Sequence, residues 1–332
     1  MKHYNSIDLL KFFMSFFVVA IHTDYDHTFF TGFICPLVVP MFFVLSGFLL
    51  QKKMSVYISC GNSNCVDWTI NMYIVKLLKL YFLWTVLYLP LTFYGSCIIE
   101  GNSLVRAFAI FCRNVIFVGE NYMSWPLWYL LALVWASFIV KILIQWKFTI
   151  EWILTCGLCF TIIGWGINNI LQVEHMDGIC GNFIYVYEKI FSTTRNGLFV
   201  GFGFVAVGLF LSKWQDFFLK HFAWAFFMTL VSAIVYLYGL PFSKHLLCFC
   251  TLLIVISIKL PDRNSFPWYR KMSTLIYFSH MFFVAILIHF FPEIHTGLPQ
   301  FVLAAISAFV FSYIVIRLME IPSFFFLKKL LG

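Results

Sequence analysis

Continuous apolar runs of roughly twenty residues recur from one end of the chain to the other, and no other feature restricts the fold as strongly. A run of this kind enters hydrocarbon only as a helix, because only a helix satisfies every backbone N–H and C=O within its own segment. The runs are continuous, whereas a secretory β-barrel alternates apolar and polar residues in segments of about ten. A soluble fold of 332 residues could not bury a sequence that is 62% hydrophobic and 11% charged, since soluble domains carry roughly 25% charged residues. The expected fold is therefore all-α: a polytopic membrane protein of about ten transmembrane helices in one membrane domain spanning 1–332, with no repeat, linker or low-complexity tract to divide it.

The spans are read at 8–24, 36–51, 73–97, 126–145, 149–171, 197–212, 220–238, 243–259, 273–291 and 298–319. His22, Asp24 and Asp26 stand where a signal peptide would carry small residues for cleavage, so the first span is expected to stay as a membrane helix. With both termini cytoplasmic, the outer side holds only Arg106, Arg113, Lys189, Arg195 and Lys244 of the 22 Lys and Arg, and the inner side collects the rest. That bias is the positive-inside signal. The net charge of +8 thus reflects topology, and no nucleic-acid partner is expected.

Two outer connections are long. Residues 98–125 contain "SLVRAFAIFCRNVIFVG", with Arg106 and Arg113 on one face of an expected interfacial helix. Residues 172–195 carry Glu174, His175, Asp177, Glu188, Lys189 and Arg195 and are expected to fold over a cavity mouth. The ten cysteines are scattered; Cys60 and Cys65, and Cys156 and Cys159, lack the second half of a zinc site, and Cys97, Cys112 and Cys180 face outside without a readable pairing. No metal site is expected.

The polar intrusions within the apolar runs are the functional candidates, because an ionisable group inside a membrane is costly unless it has a partner or water. The first span reads "LLKFFMSFFVVAIHTD", in which Lys11 and His22 lie about 16 Å apart along a helix and project from nearly the same face. Read singly, Lys11 snorkels to inner headgroups and His22 is a capped histidine near the outer interface. Read together, they line a path that one ligand can follow. Asp24 follows as a candidate to orient His22 or an acceptor, although helical spacing turns it elsewhere. "VPMFFVLSGFLLQKK" breaks an apolar run with Ser46 and Gly47, small enough for a helix neighbour to approach closely. Lys52, Lys53, Lys76, Lys79 and Arg270 add to the inner positive cluster. Trp128 and Tyr129 open a span in "SWPLWYL", as an aromatic belt or as a stacking surface, and Arg195 stands just outside a glycine-rich span. His280, in "KMSTLIYFSHMFF", is placed about 10 Å above the inner end of its span, as a carbonyl-bonded core histidine or as a channel lining. His245, at an outer helix start, is a weaker candidate, and His27, His175, His289 and His295 are read as solvated or interfacial.

In combination these segments resemble the acyltransferase-3 family of integral membrane acyltransferases, over residues 7 to 322. The family pattern of a basic residue, ten others and a histidine is met by Lys11 and His22. Its "FF.LSGF" stretch is met by Phe42 to Phe48, "LWYL" by Leu127 to Leu130, "RNGLF" by Arg195 to Phe199, and "IY..H" by Ile276, Tyr277 and His280. Within the family, "TTRNGLF" and "EIPSFFFLKKLL" look most like the membrane half of the membrane-bound serine racemases of vancomycin-type resistance, which continue into a cytoplasmic racemase domain. A soluble cytoplasmic domain or partner after residue 332, or a stand-alone acyltransferase, are both open expectations.

The resemblance implies a bacterial cytoplasmic membrane enzyme. It implies transfer of an acyl group from cytoplasmic acyl-CoA, with acetyl-CoA the usual donor, to a hydroxyl acceptor outside: a cell-envelope sugar or a small amino acid. Lys11, Lys52, Lys53, Lys76, Lys79 and Arg270 would hold the phosphates of coenzyme A, with His280 on the same channel. His22 would be the general base and Asp24 its companion, because an imidazole titrates near working pH. Arg195, Trp128 and Tyr129 would hold the acceptor. The competing class is a transporter of serine or another small amino acid, which needs buried polar groups but not a nucleotide-sized basic mouth. A scaffold for a soluble enzyme comes third, because it gives Lys11 and His22 no shared use.

Overall fold

The structure, a computed structural model, describes residues 4–25, 28–58, 63–171, 179–239, 242–263, 265–294 and 296–332. Among these residues there is no strand, and the α-helices in chain order are α1 (Asn5–Ile21), α2 (Phe29–Ile58), α3 (Ser63–Tyr94), α4 (Leu104–Arg113), α5 (Trp128–Gln145), α6 (Ile150–Leu171), α7 (Ile179–Phe191), α8 (Phe202–Lys213), α9 (Gln215–Lys220), α10 (Phe222–Leu237), α11 (Ser243–Ser257), α12 (Ser265–Phe290) and α13 (Gly297–Leu318). Every apolar run read as a span coincides with a helix. Among the described residues, six helical stretches are long and apolar enough to cross a membrane: Thr31–Tyr57, Asn64–Ile99, Trp125–Gln145, Ile150–Ile170, Ser265–Phe290 and Gly297–Leu318. α1, at 17 residues, and the shorter apolar helices Gly197–Lys213, Phe222–Leu237 and Ser243–Ser257 complete the bundle.

Several helices run well past their apolar stretch. α3 starts at Ser63 in the polar segment "SNCVDWTINM", and α12 starts at Ser265, because each added turn satisfies its own backbone hydrogen bonds in water as it does in lipid. α2 continues through Pro36 and Pro40, each of which removes one intrahelical N–H donor.

The core forms where α2 meets α8. A Cβ on Gly47 would clash with the Val205 carbonyl oxygen, and one on Gly208 would clash with that of Val44 and lie 2.7 Å from the Phe48 nitrogen. Only glycine permits this approach from both sides, and in lipid such close packing replaces the hydrophobic drive that water supplies to soluble cores. Val44, Leu45, Phe48, Val205 and Leu209 are fully buried along that seam. α1 packs on α12 and α12 on α13; α3 packs on α5, α6 on α8, and α10 on α11. Apolar side chains such as Ile162, Phe226 and Ile306 are exposed on the outside of the bundle, as a lipid-facing surface requires.

The connection 98–125 does contain a helix, α4. Ser103 caps its start by accepting from the Arg106 N–H at 3.4 Å, and Leu104, Val105 and Phe108 are exposed on its flank. Arg113 turns off this helix to Asn114 and donates to the Lys189 carbonyl oxygen at 3.2 Å, which ties α4 to α7. In the second long connection, 172–178 lies outside the described residues, and with it Glu174, His175 and Asp177; so do His27, Cys60 and His295. Cys97 and Cys112 are free thiols.

Candidate active site

α1 carries groups at both ends. Toward its start, Lys11 lines a cavity of about 330 Å³ together with Tyr4, Asp8, Lys53, Tyr73, Lys76 and Arg270. A second cavity of about 420 Å³ shares Lys11, Ser46, Tyr73, Lys76 and Arg270 and runs on past Lys271 to Tyr129, Tyr277 and the C-terminal Gly332. The 3-10 segment Pro322–Leu331 closes that side, held to α3 by the Trp84 indole, which donates to the Leu330 carbonyl oxygen at 3.3 Å. Of the basic residues expected at this mouth, the fold brings Lys11, Lys53, Lys76 and Arg270 together. It leaves Lys79 exposed and apart, and sets the Lys52 amine 5.7 Å over the Phe48 ring. Lys271 and Tyr73 join the mouth without having been singled out in the sequence.

At the other end, α1 closes with a left-handed Asp24 (φ 51°) and a Tyr25 N–H donating back to the Ala20 carbonyl oxygen at 3.0 Å. This is a Schellman-type stop, and it gives Asp24 a backbone role. The Asp24 side chain is exposed and makes no hydrogen bond to His22. His22 itself still donates its N–H to Val19 at 3.1 Å, so the last turn tightens without losing its direction.

His22 lines a cavity of about 720 Å³ with Pro36, Pro40, Trp128, Thr161, Trp165, Arg195, Lys244, His245 and Tyr277. Its ring stacks on His280, with centroids 5.3 Å apart and planes 28° off, and lies 5.8 Å from Trp125. His280 is fully buried; its Nδ1 lies 3.1 Å from the Ile276 carbonyl oxygen, so Nδ1 carries the proton and Nε2 keeps its lone pair, without a partner among the described residues. The carbonyl bond expected for a core histidine is therefore present, and the ring also meets His22 rather than the basic mouth. Arg270, which lines the basic mouth, lies ten residues earlier on α12, about 15 Å along the helix from His280.

A wall of rings separates the two ends. Tyr129 and Tyr277 meet at 5.8 Å, Phe42 sits 5.5 Å from Tyr277, and Phe43 sits 4.7 Å from Tyr129. The Tyr129 hydroxyl bonds Ser46 Oγ at 2.9 Å, and the Tyr277 hydroxyl donates to the Pro126 carbonyl oxygen at 3.2 Å. Tyr277 lines both the cavity with Lys11 and the cavity with His22. Trp128 and Tyr129 are neighbours in sequence but point about 100° apart on α5, so Trp128 belongs to the His22 cavity and Tyr129 to the wall. Both are nearly buried, and neither forms an interfacial belt.

Arg195 sits at the rim of the His22 cavity. Its Nη2 donates to Glu120 Oε2 at 2.7 Å and its guanidinium lies 4.8 Å over the Trp128 ring. Burial pushes the Glu120 carboxyl above its ordinary range, and Arg195 partly offsets the rise. Next to it, Asn196 caps the π-helical turn Gly197–Gly201 by accepting from the N–H groups of Leu198 and Phe199, and Gly197 admits Trp135, to whose Cβ an added methyl would come within 2.5 Å. The sequence "RNGLF" is thus an arginine placed by a cap and a close turn.

The fold is an all-α bundle in which one helix, α1, lines a basic cavity with Lys11 and a second, histidine-bearing cavity with His22. Residues 4–317 match the family described as acyltransferase domain, and the chain belongs to that acyltransferase-3 family. Similar curated proteins include an "Amino-acid racemase" of Enterococcus faecalis, 24% identical over 96% of this chain and 47% of its own length. A "Serine/alanine racemase" of Enterococcus gallinarum is 27% identical over 72% of this chain and 34% of its own. The chain thus spans less than half the length of the curated relatives it matches. No solved structure matches it.

Proposed function

We propose that the protein is a ten-span acyltransferase of the cell membrane with both termini cytoplasmic, which moves an acetyl group from acetyl-CoA at the inner, lysine-rich mouth to a hydroxyl of an extracytoplasmic acceptor. One observation carries the reading: α1 places Lys11 in one cavity and His22 in the other, and the two cavities abut at Tyr277. Lys11, Lys53, Lys76 and Arg270 supply the positive charge that the phosphates of a coenzyme A need. The thin pantetheine arm then runs along the Lys11 face and past the Tyr129 and Tyr277 rings. At its end, His22 takes the proton of the acceptor hydroxyl. The oxygen bonds to the acyl carbon, the carbon–sulfur bond breaks, and the leaving thiolate takes that proton from the His22 imidazolium and departs as the coenzyme A thiol. His280 holds the His22 ring in place through its stacked face, and Arg195 binds an anionic part of the acceptor. The supporting experiment is paired: His22→Ala retains acetyl-CoA binding by calorimetry and loses transfer of labelled acetyl. Transfer that survives this substitution removes His22 from the chemistry.

The relatives are named as racemases of amino acids, and a second reading is that this chain moves serine or another small amino acid across the membrane. Serine uptake into proteoliposomes that persists in the His22→Ala protein and ignores acetyl-CoA would establish it in place of acyl transfer.

A further inference from the structure

A third cavity, of about 600 Å³, opens beside the one that holds His22 and is lined almost wholly by hydrocarbon: Leu158, Phe210, Trp224, Met228 and Phe249 among others, from α6, α8, α10 and α11. Phe242 and His245 line both cavities, so the apolar chamber and the His22 chamber share a wall. That wall is unusual in two ways. Phe242 holds a left-handed backbone (φ 62°), which a bulky side chain rarely adopts. His245 is 6% exposed, its ring stacks flat on Phe204 at 3.8 Å, and neither ring nitrogen has a hydrogen-bond partner among the described residues. A buried imidazole with both nitrogens unanswered is costly unless a polar ligand reaches it. On the His22 side of the same wall stand two cations, Arg195 and Lys244, and Lys244 forms no ion pair among the described residues.

We propose that the acceptor is a membrane amphiphile: a hydrocarbon tail lies in the apolar chamber, and an anionic, hydroxyl-bearing headgroup reaches over His245 toward His22. This rests on the acyl-transfer reading above and names its substrate class. The tail explains a chamber lined almost wholly by hydrocarbon, Lys244 and Arg195 answer the headgroup charge, and His245 meets the polar junction between headgroup and tail. Delivery from within the bilayer also suits a cavity whose His22 lies at the end of a membrane helix.

The test titrates delipidated protein in detergent with palmitoyl-oleoyl-phosphatidylglycerol, with the matching phosphatidylcholine and with tail-free glycerophosphoglycerol, counting bound molecules by native mass spectrometry. The expected result is one phosphatidylglycerol held about tenfold more tightly than phosphatidylcholine, and no retention of the tail-free headgroup. Ala225→Trp, which fills the chamber, and Lys244→Gln, which removes the charge, should each lower that retention about tenfold while acetyl-CoA binding is unchanged. Equal retention of the two lipids, retention of the tail-free compound, or indifference to Ala225→Trp overturns the proposal. Loss of acetyl-CoA binding in the wild type with lipid retention intact would instead remove the acyl-transfer reading and leave the lipid site standing.

Discussion

Replacing Lys11 with methionine removes one positive charge from the basic cavity and keeps the length of the apolar stem. Lys11 is half-buried where Lys53, Lys76 and Arg270 are exposed, so its contact with a phosphate is the least shared with water. A hydrogen bond to a charged group at such a place contributes about 1.5–3 kcal/mol, and each 1.4 kcal/mol is tenfold in affinity, so acetyl-CoA should bind roughly 10- to 150-fold more weakly. Lys79→Met removes the same charge from the same face of the bundle but from an exposed position outside the cavity, and should change affinity less than about twofold. Isothermal calorimetry of acetyl-CoA in detergent, at low and high salt, measures both; the wild type should weaken with salt and Lys11→Met should weaken less steeply. Lys79→Met costing as much as Lys11→Met would refute the reasoning, because a diffuse positive surface and not a built cavity would then hold the ligand.

Other outcomes follow from the same geometry. His280→Ala should lower acetyl transfer and spare acetyl-CoA binding, and His280→Phe should restore much of the rate by keeping a ring against His22; phenylalanine no better than alanine contradicts the stacking role. Gly208→Ala should cost about 1–3 kcal/mol and lower the melting temperature, since the Val44 carbonyl oxygen leaves no room, whereas Gly166→Ala, with open space around it, should melt within a degree or two of wild type. The Glu120 carboxyl lies above its ordinary range because of burial, so it favours the folded state most when protonated and loses that contribution as pH rises through the raised value. Glu120→Gln should therefore gain stability relative to wild type between acid and neutral pH in thermal melts, and a gap that closes or reverses in the other direction removes the assignment.

The apolar runs made the helices legible because hydrophobic length is a property of the segment alone. Their ends were less so: hydropathy marks where a helix leaves lipid, not where it stops, and the polar starts of α3 and α12 lie beyond that mark. His280 lies about 15 Å along α12 from Arg270, and no pattern within that helix says which of the two cavities it meets. Gly47 was readable as a close approach, but its partner Gly208 was not, because nothing in "FVAVGLFL" says which helix it faces. Lys11 and His22 were readable as a pair because they share one helix and one face. The sorting of Lys52 and Lys79 away from Lys53 and Lys76, and of Tyr129 away from Trp128, needed the neighbouring helices that decide which side of each helix meets a cavity. The junction at His245 brings α8 and α11 together, and no local pattern in "SKHLLCF" announces it.

The central claim is that one ligand joins the two ends of α1. A structure of the protein with acetyl-CoA tests it most directly. The phosphates are expected among Lys11, Lys53, Lys76 and Arg270, the arm passing Tyr129 and Tyr277, and the thioester beside His22. Coenzyme A bound with its thioester remote from His22, on the lysine-rich side of an unbroken tyrosine wall, would contradict it.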